Sequence, residues 1–188
     1  MWRKTINPWH VASFAGGLLY PLLVYLSLPD APPFLLVCIG LALIALRLWT
    51  MRREPAAVAW SVALLLAAAG LAILSILSPS FAVKAYPSLI SAAVACVFGA
   101  SLIWPPCVIE RLARIQEPDL STAGQLYTRR VTQIWTVFLL ANTVIAAASA
   151  IWGTIEQWTL WNGLISYLLM GTLFIGEIAL RRFVRPNT

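Results

Sequence analysis

The chain reads as an all-α integral membrane protein. The expected fold is a six-transmembrane-helix bundle, N-in/C-in, with a short cytoplasmic amphipathic helix between helices four and five. Three observations predict it. First, only 11% of the residues are charged and 61% are hydrophobic, with a mean hydropathy of +0.84. A soluble domain carries about 25% charged residues, and so few charges could not cover the surface of 188 residues with polar groups. Second, six apolar segments approach the ~20 residues that cross a hydrocarbon core about 30 Å thick. Third, those segments sort the cationic residues onto one side. The length suits a single membrane domain, residues 1–188.

In chain order, the first helix is expected at about 10–28, around "SFAGGLLYPLLVYLSL", and Pro21 should bend it. Arg3 and Lys4 give a basic start, but no clear small-x-small cleavage site precedes "LPDAPPF". It is therefore read as a retained span rather than a signal peptide. The second helix is expected at 33–50, the third at 56–78 and the fourth at 83–104. The fifth is expected at 129–152 and the sixth at 158–180. Pro105–Pro106 must end the fourth, because proline lacks an amide donor and clashes with the preceding turn.

The connections settle the orientation. Arg3, Lys4, Arg47, Arg52, Arg53, Arg111, Arg114, Arg129, Arg130, Arg181, Arg182 and Arg185 fall on one side, twelve of the thirteen Lys and Arg; only Lys84 falls on the other. The positive-inside rule places the first side in the cytoplasm. Arginines anchoring helix ends at anionic headgroups also account for the net charge of +6 without nucleic acid. The tryptophans suit interfacial belts: Trp2, Trp9, Trp49, Trp60, Trp104 and Trp135 near cytoplasmic ends, and Trp152, Trp158 and Trp161 near outer ends.

Small residues recur every four positions and mark expected helix–helix faces. These are Ser88, Ala92, Cys96 and Ala100 on helix four, Ala59, Ala63 and Ala67 on helix three, and Asn142, Ala146 and Ala150 on helix five. The Tyr-Pro pair occurs twice, at Tyr20–Pro21 and Tyr86–Pro87. One pair is read as mid-helix and the other as a helix start, so the match is taken as chance rather than an inverted repeat.

Chemistry concentrates between helices four and five. In "CVIERLARI", Val108, Ile109, Leu112 and Ile115 share one helical face, and Glu110, Arg111 and Arg114 another. An amphipathic helix at about 107–116, lying in the headgroup layer, is expected, with Glu110 and Arg114 paired one turn apart. Glu110, Arg111, Arg114, Glu117, Asp119, Tyr127, Arg129 and Arg130 form a candidate surface for a partner or ligand. A candidate intramembrane polar site comprises Thr132, Gln133, Thr136, Asn142, Asn162 and Glu177. Polar groups at such depth must find partners in the bundle or in water. They could wall a cytoplasmic cleft. Alternatively, each threonine bonds its own helix, Asn142 bonds a neighbour and Glu177 pairs with Arg181.

Catalytic patterns are missing. Cys38, Cys96 and Cys107 have no CxxC spacing, so neither a disulfide framework nor a metal site is expected. His10 is the one histidine, Cys107 has no obvious base, and no GxSxG, HExxH or P-loop pattern occurs. No catalytic residue, metal or other cofactor is expected.

The segments "WPPCVIERLARIQEPDLS", "YTRRVTQIWTVFLLANTVIA" and "WTLWNGLISYLLMG" resemble a small uncharacterised family of bacterial inner-membrane proteins. Its members are encoded beside acyl carrier proteins and ketosynthase-like enzymes of aryl-polyene pigment synthesis. The order of features is also similar to the intracellular septation protein A family, from which the arginine pair before helix five departs. The likeness covers about residues 86–182. It implies a multi-pass inner-membrane protein of the cell envelope, with envelope-biogenesis or acyl-carrier-dependent biosynthetic proteins as partners, and it supplies no catalytic set.

The leading expectation is a non-enzymatic accessory protein that docks partners through the cytoplasmic 105–130 surface, in contact with membrane lipids and not with nucleic acid. A carrier or flippase for a lipid-like or polyene product is the alternative, and a membrane enzyme acting on lipid or acyl substrates is the second. A homo-oligomer is left open.

Overall fold

A computed structural model of the chain describes residues 8–27, 31–52 and 57–184; the side chains of residues 8, 10–14, 116 and 180–184 lie outside that description. Every described element is helical: α1 (Pro8–Ser27), α2 (Pro33–Met51), α3 (Ala57–Leu77), α4 (Pro79–Ile103), α5 (Val108–Gln116), α6 (Thr122–Trp152), α7 (Ile155–Leu160), a π-helical turn (Trp161–Ile165) and α8 (Ser166–Val184). Five spans are long and apolar enough to cross a membrane: α2, α3, α4, α6, and the run Ile155–Ala179 through α7, the π turn and α8. The expectations placed on Trp2, Arg3, Lys4, Arg53 and Arg185, and on the side chains of His10, Arg181 and Arg182, lie outside the described residues.

Local chemistry sets the helix ends. Pro33 and Pro79 open α2 and α4 at positions where a missing amide donor costs nothing. Ser121 caps α6 by accepting from the Gly124 amide at 3.2 Å. Thr154 and Gln157 form a reciprocal capping box on α7. α4 stops at Ile103, two residues before Pro105, and the Pro105–Pro106 bond is cis.

Three boundaries differ from expectation. α4 begins at Pro79 rather than about 83, so Pro87 lies inside the helix and not at its start. α6 begins at Thr122 rather than about 129, because the Ser121 cap outweighs the charged "YTRR" as a start signal. The last helix begins at Ile155 rather than 158, where the capping box starts it. It passes through the π turn without a break. The amphipathic helix spans Val108–Gln116, close to the expected 107–116.

Packing is uneven. α4 is the hub: it packs along α6 and α3 and also meets α2. Of its most apolar stretch 39% is buried, against 11% for the α7–α8 span. The core gathers Tyr20, Val24, Leu36, Val37, Ile44, Leu64, Leu71, Val83, Tyr86 and Trp158. Gly40 lets the Tyr86 ring lie against α2: a Cβ there would meet the ring at 3.1 Å. Ala63, Ala67, Asn142, Ala146 and Ala150 are buried as the small-residue pattern predicts. Cys96 and Ala59 are exposed instead, because the buried face of α4 runs through Ser91, Ala95 and Val97. Trp158 is not a belt residue. It is fully buried and donates to the Lys84 carbonyl at 2.9 Å. Trp104 and Trp152 are highly exposed, as belt positions should be.

Candidate functional site

α5 and the start of α6 form a ledge at one end of the bundle. Ser101 joins α4 to it, accepting from the Val108 amide at 3.1 Å while donating to the Phe98 carbonyl. Glu110 is buried. Its Oε1 accepts from Arg114 Nη2 at 2.8 Å and from Nε at 3.0 Å, and Cys107 Sγ approaches Oε2 at 4.0 Å. Arg114 Nη1 reaches on to the Pro118 carbonyl at 3.0 Å, and Arg111 Nε donates to the Pro106 carbonyl at 2.8 Å. Ala113 and Leu120 are buried, and Gln125 Nε2 donates to the Leu120 carbonyl, which fastens the connection to α6.

Three of the surface candidates, Glu110, Arg111 and Arg114, therefore shape the ledge itself. Asp119, Arg129 and Arg130 are exposed on it, and Glu117 and Tyr127 are half-buried. Leu112 and Ile115 turn outward, as do Leu126 and Trp104. This outward apolar face is what a helix in the headgroup layer presents.

The intramembrane polar residues divide. Thr128, Thr132 and Thr136 bond carbonyls of their own helix, at Gln125, Thr128 and Thr132, at 2.7–2.9 Å. Such bonds satisfy the hydroxyl without a ligand. Gln133 is exposed. Asn142 joins three helical segments. Its Nδ2 donates to Ser91 Oγ on α4 at 3.1 Å, and its Oδ1 accepts from Trp161 Nε1 in the π turn at 3.2 Å. Ser91 in turn donates to the Leu139 carbonyl at 3.2 Å. Asn162 donates to Ser149 Oγ and to the Trp158 carbonyl. Glu177 is half-buried on α8, whose main contact is the turn that precedes it. The six residues thus do not line one cleft: Asn142 and Asn162 staple α4, α6 and the π turn together, and Glu177 stands apart.

Sequence reasoning missed a second polar centre. Tyr20 and Tyr86, from the two Tyr-Pro pairs, stack at 4.3 Å between ring centroids. Tyr20 Oη lies 3.3 Å from the carbonyls of Leu36 and Val83. Tyr86 Oη is buried without a hydrogen-bond partner among the described residues. Half-buried Arg47 brings its Nη2 within 2.5 Å of where a Cβ on Gly17 would sit, and Tyr167 donates to the Gly17 carbonyl at 3.2 Å. The repeated Tyr-Pro pair was the available signal. Pro87 lies inside α4, as Pro21 lies inside α1, so both pairs are mid-helix.

Among the described residues no three His, Cys, Asp or Glu side chains converge on a metal-sized site. No family model matches the chain, and no curated protein or solved structure matches it significantly.

Proposed function

We infer that the protein is a six-span, non-enzymatic accessory protein of a bacterial inner membrane, N-in and C-in, which docks a soluble partner on its cytoplasmic ledge. One observation carries this reading. α6 has 31 residues, a length of roughly 46 Å at 1.5 Å per residue, whereas the hydrocarbon core is about 30 Å thick. About ten residues of it therefore stand outside the core. The exposed end of α6 belongs at the Thr122 end, where α5 is fastened beside it by Gln125 and Leu120. Arg129 and Arg130 emerge at the boundary, unencumbered by the Glu110–Arg114 clamp.

A basic, rigid ledge favours a partner with an acidic face, since complementary charge steers encounter and fixes register. The resemblance to proteins encoded beside acyl carrier proteins makes an acyl carrier protein the partner to try first. The carrier reading draws less support, because the α6 polar stripe is closed by its own hydrogen bonds. The enzyme reading rests on one thiol–carboxylate contact, Cys107 Sγ to Glu110 Oε2 at 4.0 Å, and draws less support because Arg114 already holds that carboxylate.

The test measures binding of a purified acyl carrier protein to the full chain in nanodiscs across a salt series. Arg129→Gln with Arg130→Gln should weaken it about tenfold and flatten the salt dependence. Unchanged affinity would sink the docking reading. A periplasm-active reporter fused after Thr122 should stay silent; activity there would reverse the orientation.

A further inference from the structure

We propose that the two Tyr-Pro pairs are the joints of a coupled hinge. Each proline frees a backbone carbonyl inside the bundle, a tyrosine hydroxyl from another helix latches that carbonyl, and the stacked tyrosine rings make α1 and α4 bend together. This goes beyond the docking ledge and does not depend on it.

Proline has no amide hydrogen, so within a helix it leaves the carbonyl four residues earlier without its donor. Pro21 lies inside α1 and Pro87 inside α4. The carbonyls they leave are those of Gly17 and Val83. Both are met from another helix: Tyr167 of α8 donates to the Gly17 carbonyl at 3.2 Å, and Tyr20 of α1 donates to the Val83 carbonyl at 3.3 Å. The Tyr20 hydroxyl is also 3.3 Å from the Leu36 carbonyl. Leu36 stands inside α2, where the Gly40 amide is its regular partner one turn on. Val83 has no such amide, so its carbonyl is the acceptor that needs the hydroxyl. In hydrocarbon an unpaired carbonyl is costly, and a span tolerates proline where a neighbouring helix supplies the missing donor.

The α4 joint draws on more than one neighbour. In the turn before Pro87, the Val83, Lys84 and Ala85 carbonyls each receive a side-chain donor: Tyr20 from α1, Trp158 Nε1 from α7 at 2.9 Å, and the Ser88 hydroxyl at 2.8 Å. A regular turn spends its carbonyls on its own amides. Where other helices hold them, the bend at the proline follows the position of those helices.

The two joints are tied to each other. Tyr20 directly precedes Pro21, Tyr86 directly precedes Pro87, and the rings stack at 4.3 Å between centroids. Tyr20 therefore belongs to the α1 joint and latches the α4 joint. A change of bend at Pro21 shifts the hydroxyl that holds Val83, and a change at Pro87 shifts the ring on which Tyr20 lies. The π turn rests on the same place: a Cβ on Gly163 would meet the Pro21 Cβ at 3.5 Å.

The experiment uses the full chain in nanodiscs, read by thermal unfolding and by amide hydrogen exchange. Tyr20→Phe keeps the stacked ring and removes the latch. It should lower the melting temperature and raise exchange about tenfold around both joints. Pro87→Ala returns an amide to Val83, so the loss caused by Tyr20→Phe should vanish in that background. Tyr167→Phe, made at the α1 joint, should raise exchange at the α4 joint as well. Tyr86→Phe removes a hydroxyl with no hydrogen-bond partner among the described residues and should leave both joints unchanged. A Tyr20→Phe loss of the same size with Pro87→Ala present would mean that Val83 is not latched. Exchange raised only at the mutated joint would mean two separate caps and no hinge. Either result overturns the proposal, as does a Tyr86→Phe effect equal to that of Tyr20→Phe.

Discussion

The α4–α6 seam and the α1–α2–α8 side of the bundle treat buried polarity in opposite ways. Along the seam Ser91, Asn142, Trp161 and the α6 threonines Thr132 and Thr136 are all hydrogen-bonded. Ser91, Asn142 and Trp161 form a chain from α4 to the π turn, and each threonine returns to its own helix. On the other side, the buried Tyr86 hydroxyl has no hydrogen-bond partner among the described residues. The seam is also the most extensive helix–helix contact among the described residues, whereas a Cβ on Gly171 or Gly176 of α8 would meet nothing within 4 Å. In lipid, a hydrogen-bonded polar group ties helices together, whereas a buried one without a partner carries its desolvation cost uncompensated. Depth and polarity alone do not tell them apart; the state of the partner does.

That contrast can be broken most forcefully at Trp158, which is fully buried and bonded to the Lys84 carbonyl. Trp158→Ala should destabilise the bundle by about 3–5 kcal/mol, measured as the unfolding midpoint in mixed micelles titrated with sodium dodecyl sulfate. Asn142→Ala removes a three-way staple. It should cost about 1–2 kcal/mol in the same titration. Glu110→Ala removes an i,i+4 pair in which Arg114 is partly exposed. It should cost only about 0.5 kcal/mol in stability but increase protease sensitivity between α5 and α6. At the small end, Thr132→Val should fall within about ±0.5 kcal/mol, because the hydroxyl serves its own helix.

The ledge shows how far the residues alone could be read. The face of Val108, Ile109, Leu112 and Ile115 follows from helical period, and the structure places Leu112 and Ile115 outward. The acids were harder. Glu110 turned inward onto Arg114, which spacing allows, but its burial depends on α5 lying against α6. The start of α6 was legible in hindsight in Ser121, a capping residue standing after "EPDL".

Hydropathy, segment length and capping chemistry are properties of short stretches, so the sequence by itself determined that this is a helical membrane chain with a proline-released amphipathic arm. Which polar groups meet was decided only by the tertiary structure. Each residue along a helix turns the side chain by about 100°. The partner of Asn142, 51 positions away in Ser91, therefore depends on the rotation of two helices about their axes. The same rotations brought Tyr20 onto Tyr86, and Arg47 onto Gly17 without a counter-charge among the described residues. No local signal encodes such settings, because they are chosen by packing of the whole bundle.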